Sequence, residues 1–174
     1  SGLLFVGGFQ HAPNVDAVLY FVSEVMPFLR KKIRGIVLNV VGSNAPREVL
    51  DLSSRDVVVH GFVEDLTPLQ DRARLNVAPL RYGAGTKGKV VQALACGLPT
   101  VGTAIALEGM SLGDGSGVLK ADTVDEMVDA ICSVYKDPVR WEIISSRGLT
   151  ECRKEFGIDN LGAKIQTKLL SATK

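Results

Sequence analysis

Leu75-Asn76-Val77-Ala78-Pro79-Leu80-Arg81-Tyr82-Gly83-Ala84-Gly85-Thr86-Lys87-Gly88-Lys89-Val90-Val91-Gln92-Ala93-Leu94-Ala95-Cys96-Gly97-Leu98-Pro99-Thr100-Val101 is the stretch that decides the fold. A short apolar run, Leu75 to Ala78, is closed by Pro79. A glycine-rich loop follows, then a helix-length segment, Lys87 to Ala95, and a second short run, Pro99 to Val101. Apolar runs this short suit strands buried on both faces, and a helix between two such strands makes them parallel neighbours.

The same grammar extends in both directions. Leu3 to Val6 ends at Gly7-Gly8, Ile36 to Val41 at Gly42, and Val57 to Val59 at His60-Gly61, with a weaker run at Val118-Leu119. Between them, Val15, Val18, Leu19, Val22, Val25, Met26 and Leu29 keep helical spacing, with Asn14 as the expected cap, and Glu64 to Arg74 predicts a shorter helix. Thr123 to Lys136, Pro138 to Lys154 and Ile158 to Leu170 predict three more helices. Alternating strands and helices predict an α/β fold: a doubly wound parallel sheet of about six strands with helices on both faces. In the order 3-2-1-4-5-6, strands 1 and 4 meet at the topological switch point, where the loops leaving their carboxyl ends face one crevice. Those loops are Gly7-Gly8 and Pro79 to Lys89.

The chain has 174 residues, 46% hydrophobic and 22% charged, with a mean hydropathy of +0.19. That length reads as one domain burying roughly 70% of its unfolded surface. Ser1-Gly2 in place of an initiator methionine gives the expectation of a domain excised from a larger protein. Twenty basic residues against nineteen acidic ones leave a net charge of +1, with no general attraction for nucleic acid or an anionic membrane. Any anion has to be gripped locally. Three widely spaced cysteines suggest neither a disulfide framework nor a metal site, and no apolar run approaches the ~20 residues that span a bilayer. These features read as a soluble, cytoplasmic domain without metal or cofactor, with peripheral membrane contact only through a full-length protein.

The loop chemistry favours phosphate. Gly83, Gly85 and Gly88 let backbone N–H groups approach an anion, Thr86 adds a hydroxyl, and the helix N-terminus contributes about half a positive charge. Lys87 and Lys89 stand at the wrong end of that dipole unless an anion is bound; the plainer alternative is a glycine turn with solvated lysines. Gly83, Gly88 and Lys89 satisfy G-x-x-x-x-G-K, but Val90 stands where a P-loop needs a Mg²⁺-binding hydroxyl. Gly83, Gly85 and Gly88 also satisfy G-x-G-x-x-G, the basis of an alternative reading as a nicotinamide-binding dehydrogenase domain, although that fingerprint belongs in the first strand–helix turn. Gly7 and Gly8 would admit a diphosphate or sugar from the opposite wall, or simply make a tight turn. Phe62 and the backbone at Val63 could hold a flat base, with a core phenylalanine the alternative that sequence alone favours. His11 and His60 have no third partner for a triad. No residue is assigned a catalytic role, and Trp141 reads as a packing anchor.

The glycine loop followed by Lys-x-Lys-Val-Val-Gln-Ala-Leu-Ala-Cys-Gly-Leu-Pro-Thr-Val, the opening Phe-Val-Gly-Gly, the His60-Gly61-Phe62-Val63 turn and the later Glu108-Gly109 together resemble the carboxyl-terminal half of the group 1 glycosyltransferases. The resemblance covers nearly the whole chain. It implies a Rossmann-like, nucleotide-sugar-binding domain of a retaining, two-domain GT-B enzyme, with the acceptor bound by an amino-terminal domain and no metal used. That family commonly carries two glutamates separated by seven residues, at positions occupied here by Ala84 and Gln92, and an Arg and a Lys at positions occupied here by Gly8 and Pro13. The expectation is therefore that Lys87 and Lys89 supply the positive charge the first loop lacks, that Gln92 accepts from ribose hydroxyls, and that Glu108 approaches donor sugar or ribose or else caps the Gly109 turn. A non-catalytic nucleotide-sugar-binding module is the alternative that Ala84 and Gln92 favour.

Overall fold

The computed structural model describes residues 2–83, 87–110, 113 and 115–156. Its strands are β1 (Leu3–Val6), β2 (Leu38–Val41), β3 (Val57–Gly61), β4 (Leu75–Ala78), β5 (Thr100–Gly102) and β6 (Val118–Lys120). All are parallel, in the order β3-β2-β1-β4-β5-β6. This is the expected doubly wound, Rossmann-like α/β sheet, with β1 and β4 side by side at the switch point. The helices are α1 (Ala12–Tyr20), α2 (Met26–Lys32), α3 (Arg47–Leu50), α4 (Thr67–Arg72), α5 (Lys87–Ala95), α6 (Val124–Tyr135) and α7 (Pro138–Phe156). The helix expected over Ile158 to Leu170 lies outside the described residues.

Alternation along β1 shows how both faces are covered. Leu3 and Phe5 join one cluster with Val18, Phe21, Met26 and Leu29, while Leu4 and Val6 join another with Ala93, Leu98, Leu66 and Leu69. Helices on both sides let β1 run apolar at successive positions, which is why that run was legible in sequence.

Besides the short helix α3, which no expectation covered, the structure departs from the expected elements at three places. Asn14 is not the cap of α1: His11 holds that position without a side-chain cap bond, and Asn14 is buried, donating its amide to the Gly8 carbonyl at 2.7 Å. The long helix expected through Leu29 is continuous but carries a π turn, Phe21–Val25, in which the Met26 N–H reaches back to the Phe21 carbonyl. Pro27 follows it, and its ring cannot sit over the Ser23 carbonyl in a regular α-turn, so widening the helix just ahead of the proline relieves the clash. The segment expected from Glu64 starts its helix only at Thr67, where Asp65 accepts the Thr67 N–H at 2.9 Å.

At the carboxyl end, α6 opens with a capping box. Thr123 accepts the Glu126 N–H at 3.3 Å, and the Glu126 carboxylate accepts the Thr123 and Asp122 N–H groups at 3.0 and 2.8 Å. Trp141 is the anchor expected of it: its indole N–H donates to the Arg74 carbonyl at 2.6 Å, and the Arg74 guanidinium lies 5.1 Å from its ring centroid.

Candidate functional site

Gly7, Gly42 and Gly61 weld the exits of β1, β2 and β3 into one edge. The Gly7 N–H donates to Val41 and the Gly42 N–H to Gly61, both at 2.8 Å. A side chain at Gly42 would collide with the Gly7 carbonyl oxygen, and one at Gly7 would meet the Phe5 ring at 2.8 Å. Gly42 is needed for close approach of backbone to backbone and Gly7 for room beside the Phe5 ring, whereas Gly61, with φ +70° and nothing within 4 Å of where a Cβ would stand, is needed for its conformation. Gly8 is different, because the atoms nearest to a Cβ there belong to the flexible Gln10 side chain.

Beyond β4 the chain reaches the start of α1, the helix that follows the Gly7-Gly8 loop. Gly83 has φ +96°, a conformation favouring glycine, and a Cβ on it would stand 2.6 Å from Pro13 in the first turn of α1. Gly83 therefore lies against the first turn of α1. Two side chains that sequence alone did not single out hold it there. Arg81 forks onto the Asp16 carboxylate through Nε, at 2.9 Å, and through Nη2, and its guanidinium stacks 4.9 Å from the Tyr20 ring centroid. Buried Thr103 donates to the Leu80 carbonyl at 2.5 Å and accepts the Ala106 N–H at 3.2 Å, tying the exits of β4 and β5. Both contacts join segments far apart in sequence, so no local pattern announces them.

Lys89 brings a positive charge to this crevice. It lies on the first turn of α5, half-buried, beside Phe5 and Val6 of β1 and Val77 and Ala78 of β4. Among the described residues no carboxylate pairs with it, and burial holds its pKa below the ordinary lysine range. Gln92, one turn on, is exposed. Ala84, Gly85 and Thr86 lie outside the described residues, as does the side chain of Lys87. Gly88 is exposed, with no atom within 4 Å of where a Cβ would stand, so the helix start is open to close approach.

The outer residues lie along the same edge. Phe62, just past β3, is 75% exposed, which overturns the core phenylalanine that sequence alone favoured. Val63 beside it is half-buried and packs on the cluster around Leu4 and Val41. Glu108 is exposed in the turn beyond β5, ahead of Gly109 with φ +71°. At ~4.8 Å between strands, the four spacings from β3 to β5 put about 19 Å between the Phe62 and Glu108 ends of this edge, with Lys89 and the glycine loops between them. An aromatic ring at one end, a cation in the middle and a carboxylate at the other are suited to an extended ligand with a flat end, an anionic centre and a hydroxylated end. Among the described residues no group of three His, Cys, Asp or Glu side chains is placed to hold a metal ion, and no helix is long and apolar enough to cross a membrane.

Residues 1–137 match the family model described as "Glycosyl transferases group 1". No curated protein matches the chain significantly in sequence. Among solved structures, TarM, also solved as an S. aureus variant with fondaparinux, alpha-GlcNAc-glycerol and UDP, superposes with a TM-score of 0.75 at 15% identity, covering 95% of this chain and 34% of its own. Anabaena HepE, solved with UDP and glucose, gives 0.75 at 15% identity over 97% of this chain and 48% of its own. The carboxyl-terminal domain of the group 1 family protein LpcC from Francisella tularensis gives 0.72 at 13% identity, over 90% of this chain and 87% of its own. At these identities the superpositions speak for the fold. This chain spans between a third and a half of TarM and HepE.

Proposed function

The chain belongs to the group 1 glycosyltransferases, and from that premise we propose that it is the donor-binding half of a retaining, cytoplasmic enzyme that moves a sugar from a nucleoside diphosphate to a glycan or lipid-linked acceptor. The observation that supports this reading most is the half-buried Lys89, without a carboxylate partner among the described residues, set at the N-terminal end of α5 beside the exits of β1 and β4. Lost hydration and the helix dipole both oppose a cation there, and a bound diphosphate offsets both by pairing with the ammonium and with the helix N-terminus.

In this reading the nucleotide lies along the strand exits. The base rests on Phe62 with backbone donors at Val63, and Gln92 accepts from ribose. The diphosphate sits over Gly7, Gly8, Gly83 and Gly85 against Lys87, Lys89 and the Thr86 hydroxyl, and the sugar points toward Glu108. When the glycosidic bond breaks, negative charge develops on the departing diphosphate oxygen. A preplaced ammonium stabilises it with little reorganisation, which lowers the barrier without a metal or cofactor. The acceptor and the remainder of the cleft belong to an amino-terminal domain.

Ala84 and Gln92 favour a second reading, a binding-only module that holds nucleotide-sugar without transfer, because neither can offer the carboxylates found at these positions in the family. Nothing in the match or the geometry separately favours the nicotinamide alternative. Titration of UDP, GDP and their sugars separates nucleotide binding from none. Lys89→Ala is expected to weaken the preferred nucleotide about tenfold or more, since a charge-assisted bond contributes ~1.5–3 kcal/mol. Unchanged affinity overturns the site. Glycosyl transfer by a full-length protein, tested with a donor panel, decides between enzyme and binding module.

A further inference from the structure

The opposite edge of the sheet holds a second concentration of positive charge, away from the donor crevice. Arg30-Lys31-Lys32-Ile33-Arg34 places four cations in five residues at the carboxyl end of α2. Cations there complement the helix dipole, and Lys32 is further matched by Asp129 at 2.9 Å. That accounts for the lysines but not for Arg55, which arrives from the separate turn ahead of β3.

Arg30, Arg34 and Arg55 line one depression of about 690 Å³, floored by Ile33 and Ile36, with Asp56 as its lining carboxylate. Asp56 is already committed. It accepts from Arg30 through Nε and, at 3.1 Å, through Nη2, and from the Ser54 hydroxyl at 3.0 Å. This bidentate grip fixes the Arg30 guanidinium and leaves three of its five N–H donors uncommitted to Asp56. Arg34 and Arg55 are exposed, and neither has an ion pair among the described residues. The depression therefore carries three guanidiniums against one carboxylate in a chain whose net charge is only +1. Like charges gathered in a concavity repel one another until an anion enters. Gly35, with φ +73°, has nothing within 4 Å of where a Cβ would stand, so the rim is open.

We propose that this depression is a binding site for a phosphate group, carried either by a soluble phosphorylated ligand or by a phospholipid headgroup. The planar forks of arginine match phosphate oxygens two at a time, and one fork is preset by Asp56, so less side-chain freedom is lost on binding than three lysines would lose. The site lies before the first residues of β2 and β3, whereas the donor crevice lies beyond the last residues of β1 and β4. It does not depend on the glycosyltransferase reading.

The test uses the Lys89→Ala protein, so that the donor crevice contributes little. Inorganic pyrophosphate is titrated while the arginine Nε–H signals are followed by NMR, and flotation is measured with phosphatidylglycerol and phosphatidylcholine vesicles. Saturable shifts of arginine signals that are lost in Arg34→Ala and Arg55→Ala, with affinity about tenfold weaker in the Arg34→Ala/Arg55→Ala double variant, establish the site. Flotation with phosphatidylglycerol alone, abolished by the same pair, assigns the phosphate to a headgroup; pyrophosphate binding without flotation assigns it to a soluble ligand. Equal response in the double variant, or no saturation and no flotation, overturns the proposal. UDP affinity of the otherwise wild-type double variant is measured in parallel and is expected to be unchanged, which keeps failure here distinct from failure of the donor site.

Discussion

A lysine drawn half out of water beside a helix N-terminus carries a pH signature. Burial lowers the folded-state pKa of Lys89 relative to the unfolded chain, so between the two values the folded protein binds fewer protons. Without ligand, this group's contribution to stability rises with pH across that window. Diphosphate binding requires the ammonium, so nucleotide affinity should fall as pH rises through the lowered pKa, before the ordinary lysine range, and Lys89→Met should flatten that fall in a titration series. Phe62 gives a cleaner separation of roles. At 75% exposure it adds little to the core, while stacking of a base on an aromatic ring contributes ~1–3 kcal/mol by alanine substitution. Phe62→Ala should therefore weaken nucleotide binding at least fivefold with melting temperature unmoved; a drop in stability with unchanged affinity would make it a packing residue. Gln92→Glu should do the reverse, tightening nucleotide about fivefold in calorimetry by making the ribose bond charge-assisted, a gain of ~1 kcal/mol.

At the scale of elements, Gly148 is where helix propensity and packing disagree. It sits inside α7 with its backbone against Gly117, just before β6, and an added Cβ would stand 2.7 Å from the Gly117 Cα and 3.3 Å from Leu94. Alanine in an open helix gains up to ~1 kcal/mol over glycine, but backbone overlap in a filled contact costs ~1–3 kcal/mol, so packing wins. Gly148→Ala should lower the midpoint of denaturant unfolding; an unchanged or higher midpoint would mean that α7 can lift away freely. The same contrast between local and tertiary forces marks what sequence could reveal. β4 and α5 were legible to the residue, because a run buried on both faces and a glycine-bounded amphipathic segment carry their own signals. Asn14 was misread because a cap and a buried amide tying down the Gly8 carbonyl use the same residue type just outside a helix. α3 was invisible at four residues, too short for any periodicity to show. In the candidate site, Gly7, Gly8, Gly83 and Lys89 were proposed from local spacing, whereas Arg81 with Asp16 and Thr103 with Leu80 are long-range pairs that only the folded sheet brings together.

For the molecule as a whole, occupation of the strand-exit edge should be read out as global stability. The β1, β2 and β3 exits are joined through Gly7, Gly42 and Gly61, and those of β4 and β5 through Thr103, so a ligand lying along them contacts elements from most of the sheet. Anything that binds only the folded chain stabilises it by RT ln(1 + [L]/Kd), ~2.7 kcal/mol at a hundredfold excess over Kd. In a domain of this size each kcal/mol moves the melting temperature by about 2–4 °C, so the preferred nucleoside diphosphate at that excess should raise it by roughly 5–11 °C. Lys89→Ala, at the same nucleotide concentration and about tenfold weaker binding, should lose ~1.3 kcal/mol of that gain and so roughly 3–5 °C of the shift. In the Arg34→Ala/Arg55→Ala background, where the second depression contributes little, inorganic pyrophosphate brings charge without a base and should recover only part of it, because the Phe62 end of the edge then stays empty. A nucleotide shift that pyrophosphate reproduces in full, and that survives Lys89→Ala, would mean that the anion is held elsewhere on the chain, and the crevice between β1 and β4 would lose its claim to the donor.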